Sequence, residues 1–187
     1  DLCRKHNCLL LLDTVTSLGG VPLYIDEWKV DLAYSCSQKG LSCPPGLGPF
    51  TMGPRAEEKM TSRSGEVPNW YLDVSLLNRY WGSDRVYHHT APVNMNFGMR
   101  EALRLLAEEG LDEAWARHRR NAERLWSGLE RQGLSMHVPE ERRLPTLTTV
   151  RIPDGVDGKA FSQHLLNTFG IEVGGCLLYT SPSPRDP

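Results

Sequence analysis

Lys39 closes the run VDLAYSCSQKG, behind Ser35, Ser37 and Gln38 and just ahead of Gly40. A lysine amine attacks carbonyl groups once burial disfavours its ammonium form, which is the chemistry of Schiff-base enzymes. The two hydroxyls and the amide beside it are donors for an anion such as phosphate. Asp13 is the second group of interest, at the end of the apolar run CLLLLD. On bare chemistry each residue also has a plain reading: Lys39 as a solvated loop lysine, Asp13 as a turn-initiating aspartate after a strand.

The elements that must position them can be read from hydrophobic pattern. DLCRKHN reads as the polar last turn of a helix, and CLLLLD as a strand covered on both faces, as in a parallel sheet. TSLGG supplies a turn, VPLYI a second apolar segment, and DEWKVDLAYS a connection into a third. Short strands with polar connections favour an α/β sheet, whose active groups gather at the carboxyl ends of its strands. Asp13 and Lys39 are both expected at such ends.

Further along, CPPGLGPF is a Pro/Gly loop and PRAEEKMTSR a short helix. Residues 92–109 read as a helix through Phe97, Met99, Leu103 and Leu106, stopped by Gly110. A second helix is expected over 111–132, capped by Asp112, with a stripe of Ala114, Trp115, Ala122, Leu125, Trp126 and Leu129, and ended by Gly133. LSMHV, TLTTVRI and IEVGG are strand-like, with a helix in DGKAFSQHLLNTFG between the last two. That order suits a small α+β domain, with the boundary near Gly110. The end, CLLYTSPSPRDP, reads as disordered.

The totals exclude several classes. The 187 residues are 40% hydrophobic and 24% charged, ordinary globular composition. A net charge of -2 gives no basic field for nucleic acid or an anionic membrane surface, so neither is an expected partner. No apolar run approaches the roughly 20 residues of a membrane-spanning helix. Five cysteines without a Cys-x-x-Cys pair read as reduced thiols in an intracellular compartment. Adjacent His88 and His89 lack an acid or cysteine at ligand spacing, so no metal is expected; they shape their loop instead. The first residue is Asp1, with no initiator Met, and the chain is expected to begin inside a longer protein.

VDLAYSCSQKGLSCPPGLGPF resembles the lysine signature of the class-V aminotransferases, a branch of the fold-type I pyridoxal phosphate enzymes. The shared pattern is an acidic position, apolar residues, small residues, Gln-Lys, then Gly-x-Gly. LLLLDTVTSLGGVPLYID, RVYHHTAPV and RLPTLTTVRIP are similar to segments of the alanine–glyoxylate and serine–glyoxylate aminotransferases, in the same order from Leu9 to about Gly175.

The resemblance implies an α/β fold: residues 1–110 as the C-terminal portion of a large cofactor-binding domain with a mostly parallel sheet, 111–175 as part of a small α+β domain, and 176–187 outside the family. It implies pyridoxal 5'-phosphate as cofactor, with Lys39 as Schiff-base lysine and then general base. Asp13 would pair with the pyridine nitrogen and Val15 pack under the ring. Gln38, Tyr87 and Thr90 would bind the phosphate, the last two across the interface of a homodimer with shared active sites. The implied substrates are small amino acids and 2-oxo acids. An amino group would pass from alanine or serine to glyoxylate, giving pyruvate or hydroxypyruvate and glycine. The peroxisome is the first compartment implied, with mitochondrion and cytoplasm as alternatives.

Other readings compete. Cysteine desulfurases of the same class usually place His, not Gln, before the lysine. Phosphoserine aminotransferases share Gln-Lys but fit the YHHT-P segment less well. A third reading is a non-catalytic fragment that dimerises. Two departures favour an incompetent chain: the family's N-terminal third, with a phosphate-binding glycine loop and a ring-stacking aromatic, is missing before Asp1. The family's strand bearing a substrate-carboxylate arginine is replaced by the tail, and Arg185 there does not take that role.

Overall fold

The computed structural model describes residues 2–174; the tail from Cys176, including Arg185, lies outside them. The expected apolar strand forms over its last three residues only, β1 (Leu11–Asp13). It pairs in parallel with β2 (Leu32–Tyr34), in the register Leu11↔Leu32, Leu12↔Ala33 and Asp13↔Tyr34. β3 (Phe50–Met52) adds to the other edge of β2 antiparallel. Within this chain the sheet is therefore mixed, one parallel and one antiparallel pairing.

A polar brace fixes the start of the sheet. Asp31 is 3% exposed and takes both oxygens to Arg55 Nη1, at 2.9 and 3.1 Å. One of those oxygens also accepts from the Leu10 amide at 2.8 Å, and Arg55 Nη2 donates to the Cys8 carbonyl at 3.2 Å. The brace thus sets the register in which β1 and β2 begin.

VPLYI is not a strand. Pro22 has no N–H for a ladder, and the segment folds into turns in which Trp28 N donates to Tyr24 O and Val30 N to Ile25 O.

The short α1 (Leu2–Lys5) precedes β1. After β3, α2 (Pro54–Thr61) starts with proline in its first turn, where the missing N–H costs nothing. A 3₁₀ turn at Trp70–Leu72 leads to α3 (Val74–Trp81), capped by Asp73, which accepts from Ser75 N at 2.9 Å. α4 (Val93–Glu109) and α5 (Leu111–Arg131) meet at Gly110, which adopts φ +85°, a conformation glycine reaches without penalty. No helix among the described residues is long and apolar enough to cross a membrane.

The chain divides into two compact units: 2–124 with Leu144–Leu147, and Leu125–Arg143 with 148–174. The division falls inside α5. In the first unit the core comprises Val30, Ala33, Leu41, Cys43, Ala56, Ala102, Ala114 and Ala122. In the second, Trp126 is buried, donates from Nε1 to Thr148 Oγ1 at 2.8 Å, and lies under the Arg143 guanidinium at 5.6 Å. α6 (Gly158–Phe169) is capped by Asp157 and closed by Gly170 in the left-handed region.

The strand-like LSMHV and TLTTVRI meet only in the bridge Met136↔Val150, and 171–174 form no strand. Two short segments joined by a single bridge make a marginal ladder.

Candidate active site

Because β1 and β2 run parallel, their carboxyl ends share one edge of the sheet. Asp13 ends β1 directly opposite Tyr34, the last residue of β2. Tyr34 donates its hydroxyl to Asp13 Oδ2 at 2.7 Å, and the Val15 amide donates to Oδ1 at 2.8 Å. These two bonds, Tyr34 foremost, hold the Asp13 carboxyl below the usual aspartate range. Asp13 is exposed, so its remaining lone pairs are open to a ligand; Val15 beside it is half-buried.

Beyond the strands the two segments stay stitched together. Thr14 N and Oγ1 both donate to Tyr34 O, at 2.9 and 2.7 Å, and Ser35 Oγ donates to Thr14 O at 3.0 Å. Ser37 Oγ donates to Pro44 O at 2.7 Å and accepts from Leu47 N at 3.3 Å. Ser35 and Ser37 are buried and committed to backbone, which corrects their expected role as anion donors. Ser37 thereby serves Pro44 O and Leu47 N where strand gives way to loop, and Ser35 adds a further donor to Thr14 O, which already accepts from Ser17 N and Leu18 N.

Lys39 stands in a turn beyond β2, not at the strand's last residue, and Ser42 N donates to its carbonyl at 2.9 Å. The turn is pressed against the loop after β1. A Cβ on Gly40 would lie 2.3 Å from Leu18 O, and one on Gly19, at φ +83°, would lie 2.9 Å from Gly40 O. Two glycines thus let the TSLGG and QKG backbones touch, which fixes the loop carrying Lys39 relative to the loop that follows Asp13. Thr146, in the RLPT segment, adds to this junction: its hydroxyl donates to Thr16 O, and its Cγ2 occupies the space a Gly20 side chain would need.

Gln38 and Lys39 are exposed, and their side chains make no hydrogen bond or ion pair among the described residues. The burial expected to free the Lys39 amine is therefore not supplied by this chain alone.

Tyr87 and Thr90 lie on the loop between α3 and α4, exposed, their hydroxyls 3.0 Å apart. No hydrogen bond among the described residues ties them to Asp13, Gln38 or Lys39. His88 between them is buried, with Nε2 3.0 Å from Trp70 O and Nδ1 2.9 Å from His89 Nδ1. No group of three or more His, Cys, Asp or Glu among the described residues could hold a metal ion.

Tyr34 is the site residue that sequence reasoning missed. Its signal was weak: an aromatic at the end of an apolar run, whose partner depends on a strand register the sequence does not state.

A family model described as aminotransferase class-V matches residues 1–175. The chain belongs to the class-V aminotransferases. An alanine–glyoxylate aminotransferase of Callithrix jacchus is 44% identical over 181 residues, covering 95% of this chain and 44% of that protein. The crystal structure of alanine–glyoxylate aminotransferase from Nostoc sp. is 65% identical, with a TM-score of 0.90 over 94% of this chain and 47% of that one. The ureidoglycine–glyoxylate aminotransferase of Bacillus subtilis is 37% identical, with a TM-score of 0.85 over 91% of this chain and 44% of that one.

This chain spans a little under half the length of the class-V relatives it matches. Its α/β architecture is that of these fold-type I aminotransferases. Membership in the family implies pyridoxal phosphate as cofactor.

Proposed function

We propose that this chain is the lysine-bearing part of a pyridoxal phosphate-dependent aminotransferase that moves an amino group from alanine, or serine, to glyoxylate. The observation that carries the reading is the shared edge at which Asp13 and the Lys39 turn are held by backbone contact through Gly40 and Leu18. The relatives support the acceptor: those named above are all called glyoxylate aminotransferases.

The donor set fits the cofactor. Asp13 offers an exposed carboxylate for a pyridinium N–H, Lys39 a primary amine for an aldehyde, and Gln38, Tyr87 and Thr90 polar groups for a phosphate. When bound, pyridoxal phosphate supplies an aldehyde to carry the amino group and a ring to take up an electron pair.

The chain's own residues would do the rest. Asp13, kept anionic by Tyr34 and Val15, keeps the ring nitrogen protonated. Val15 would pack against the ring. Lys39 Nζ would hold the cofactor and take the substrate Cα proton. Gln38 donates to the phosphate of its own site. Tyr87 and Thr90 serve the partner's site in a homodimer, charge-assisted bonds to phosphate being about twice as strong as neutral ones.

We assign 1–110 to the large cofactor domain, 111–175 to the small domain, and, on the resemblance alone, the enzyme to the peroxisome. Gln38 before the lysine weighs against a desulfurase. The exposure of Lys39 favours the second reading, that the 187-residue chain alone turns over little or nothing, because rate depends on a held orientation.

The test is to mix the chain with pyridoxal phosphate, alanine and glyoxylate and to assay glycine and pyruvate. The expected result is cofactor uptake without appreciable product. Stoichiometric pyruvate and glycine at an enzymatic rate would overturn the incompetent-chain reading, and turnover only with other amino donors would overturn the substrate assignment.

A further inference from the structure

His88 is 3% exposed, the buried residue of an otherwise open loop, and it stands between Tyr87 and Thr90. Its ring stacks on Trp70 with centroids 4.1 Å apart and planes 18° apart. Both nitrogens are engaged, Nε2 with Trp70 O at 3.0 Å and Nδ1 with His89 Nδ1 at 2.9 Å.

The partners decide the tautomers. A carbonyl oxygen only accepts, so His88 Nε2 carries a hydrogen. A neutral His88 then has a bare Nδ1, and His89 must donate to it from Nδ1–H. His89 is turned toward Tyr80, ring centroids 4.9 Å apart, and Tyr80 meets the Tyr87 ring edge-on at 6.3 Å. Tyr87 is thereby ordered through His88 on the backbone side and through His89 and Tyr80 on the ring side.

We propose that His88 is a positioning residue: a latch that donates from Nε2 to Trp70 O and accepts from His89, ties the loop bearing Tyr87 and Thr90 to the Trp70–Leu72 turn, and holds their hydroxyl pair in place. Its functional consequence, a preset phosphate grip, rests on the reading of Tyr87 and Thr90 above; the latch itself does not.

The test is imidazole nitrogen NMR of the whole chain at pH 8, with amide hydrogen exchange of residues 86–90, in the native sequence, His88→Gln and His88→Leu. His88 is expected as the Nε2–H tautomer and His89 as the Nδ1–H tautomer. Gln keeps a donor for Trp70 O and leaves exchange at 86–90 within a few-fold of native; Leu, which cannot donate, speeds it at least tenfold. An Nδ1–H tautomer on His88, or native exchange in His88→Leu, would each overturn the latch. Comparing pyridoxal phosphate with pyridoxal separates the two claims. If the latch signatures hold while the chain shows no preference for the phosphorylated form, only the phosphate role of Tyr87 and Thr90 falls.

Discussion

Tyr34 donates its hydroxyl to Asp13 Oδ2 at 2.7 Å, from the position directly in register with it across the parallel pair. The bond lowers the Asp13 pKa and raises that of Tyr34, one interaction seen from its two ends. It keeps the carboxylate anionic and aims it outward from the sheet edge.

Replacing Tyr34 with Phe removes the larger of the two causes. The Asp13 carboxyl should then titrate at higher pH, read by carboxyl carbon NMR. The sign for stability follows from a folded pKa below the unfolded one, near 3.9. The contribution is full above that value and is lost as pH falls through the lowered Asp13 pKa. The stability gap between native chain and Tyr34→Phe should therefore shrink in urea melts taken below about pH 4. A midpoint unchanged by the substitution would contradict this account of Asp13.

Gly40→Ala places a Cβ 2.3 Å from a backbone oxygen, which no side-chain movement relieves. A loss of about 2–3 kcal/mol in chemical denaturation is expected, together with a displaced Lys39 turn. Gly65→Ala is the contrast: it meets open space at an ordinary φ and should stay within about 0.5 kcal/mol of native. Equal losses would show that the close approach of the two loops is not what holds them.

Asp31 depends on Arg55, whose side chain is 27% exposed while the aspartate is 3% exposed. Arg55→Met strands a buried carboxylate and should destabilise by about 2–3 kcal/mol, less than a fully buried pair because solvent reaches the arginine. Arg55→Met with Asp31→Asn should recover part of that loss. No recovery would mean that the arginine acts through packing and its bond to Cys8 O alone.

Much of this was legible in the sequence because the patterns were local. The helices at 92–109 and 111–132 follow from apolar spacing and from Gly110 and Gly133, and α4 and α5 appear within a residue of those bounds. The lysine segment was found through its neighbours, and the family match extends over 1–175. What was not legible depended on pairing between distant segments. The Asp13–Tyr34 bond requires the β1–β2 register, and the commitment of Ser35 and Ser37 requires knowing that the fold brings Thr14 O and Pro44 O against them. VPLYI misled because its composition suits a strand while Pro22 and the turn bonds at Tyr24 and Ile25 do not.

In the second unit, Thr148→Val leaves the buried Trp126 Nε1–H without its acceptor at 2.8 Å. A loss of about 1–2 kcal/mol is expected, with a shift in Trp126 fluorescence, whereas Thr148→Ser should stay near native. A silent Val variant would show that solvent satisfies the indole.

The most direct test of the central claim is borohydride fixation of pyridoxal phosphate on the chain followed by peptide mass mapping. The chain has lysines at 5, 29, 39, 59 and 159. The account predicts the label on Lys39 above the other four, and its loss in Lys39→Ala without transfer elsewhere. Label spread evenly over the exposed lysines, or unchanged total label in Lys39→Ala, would contradict it.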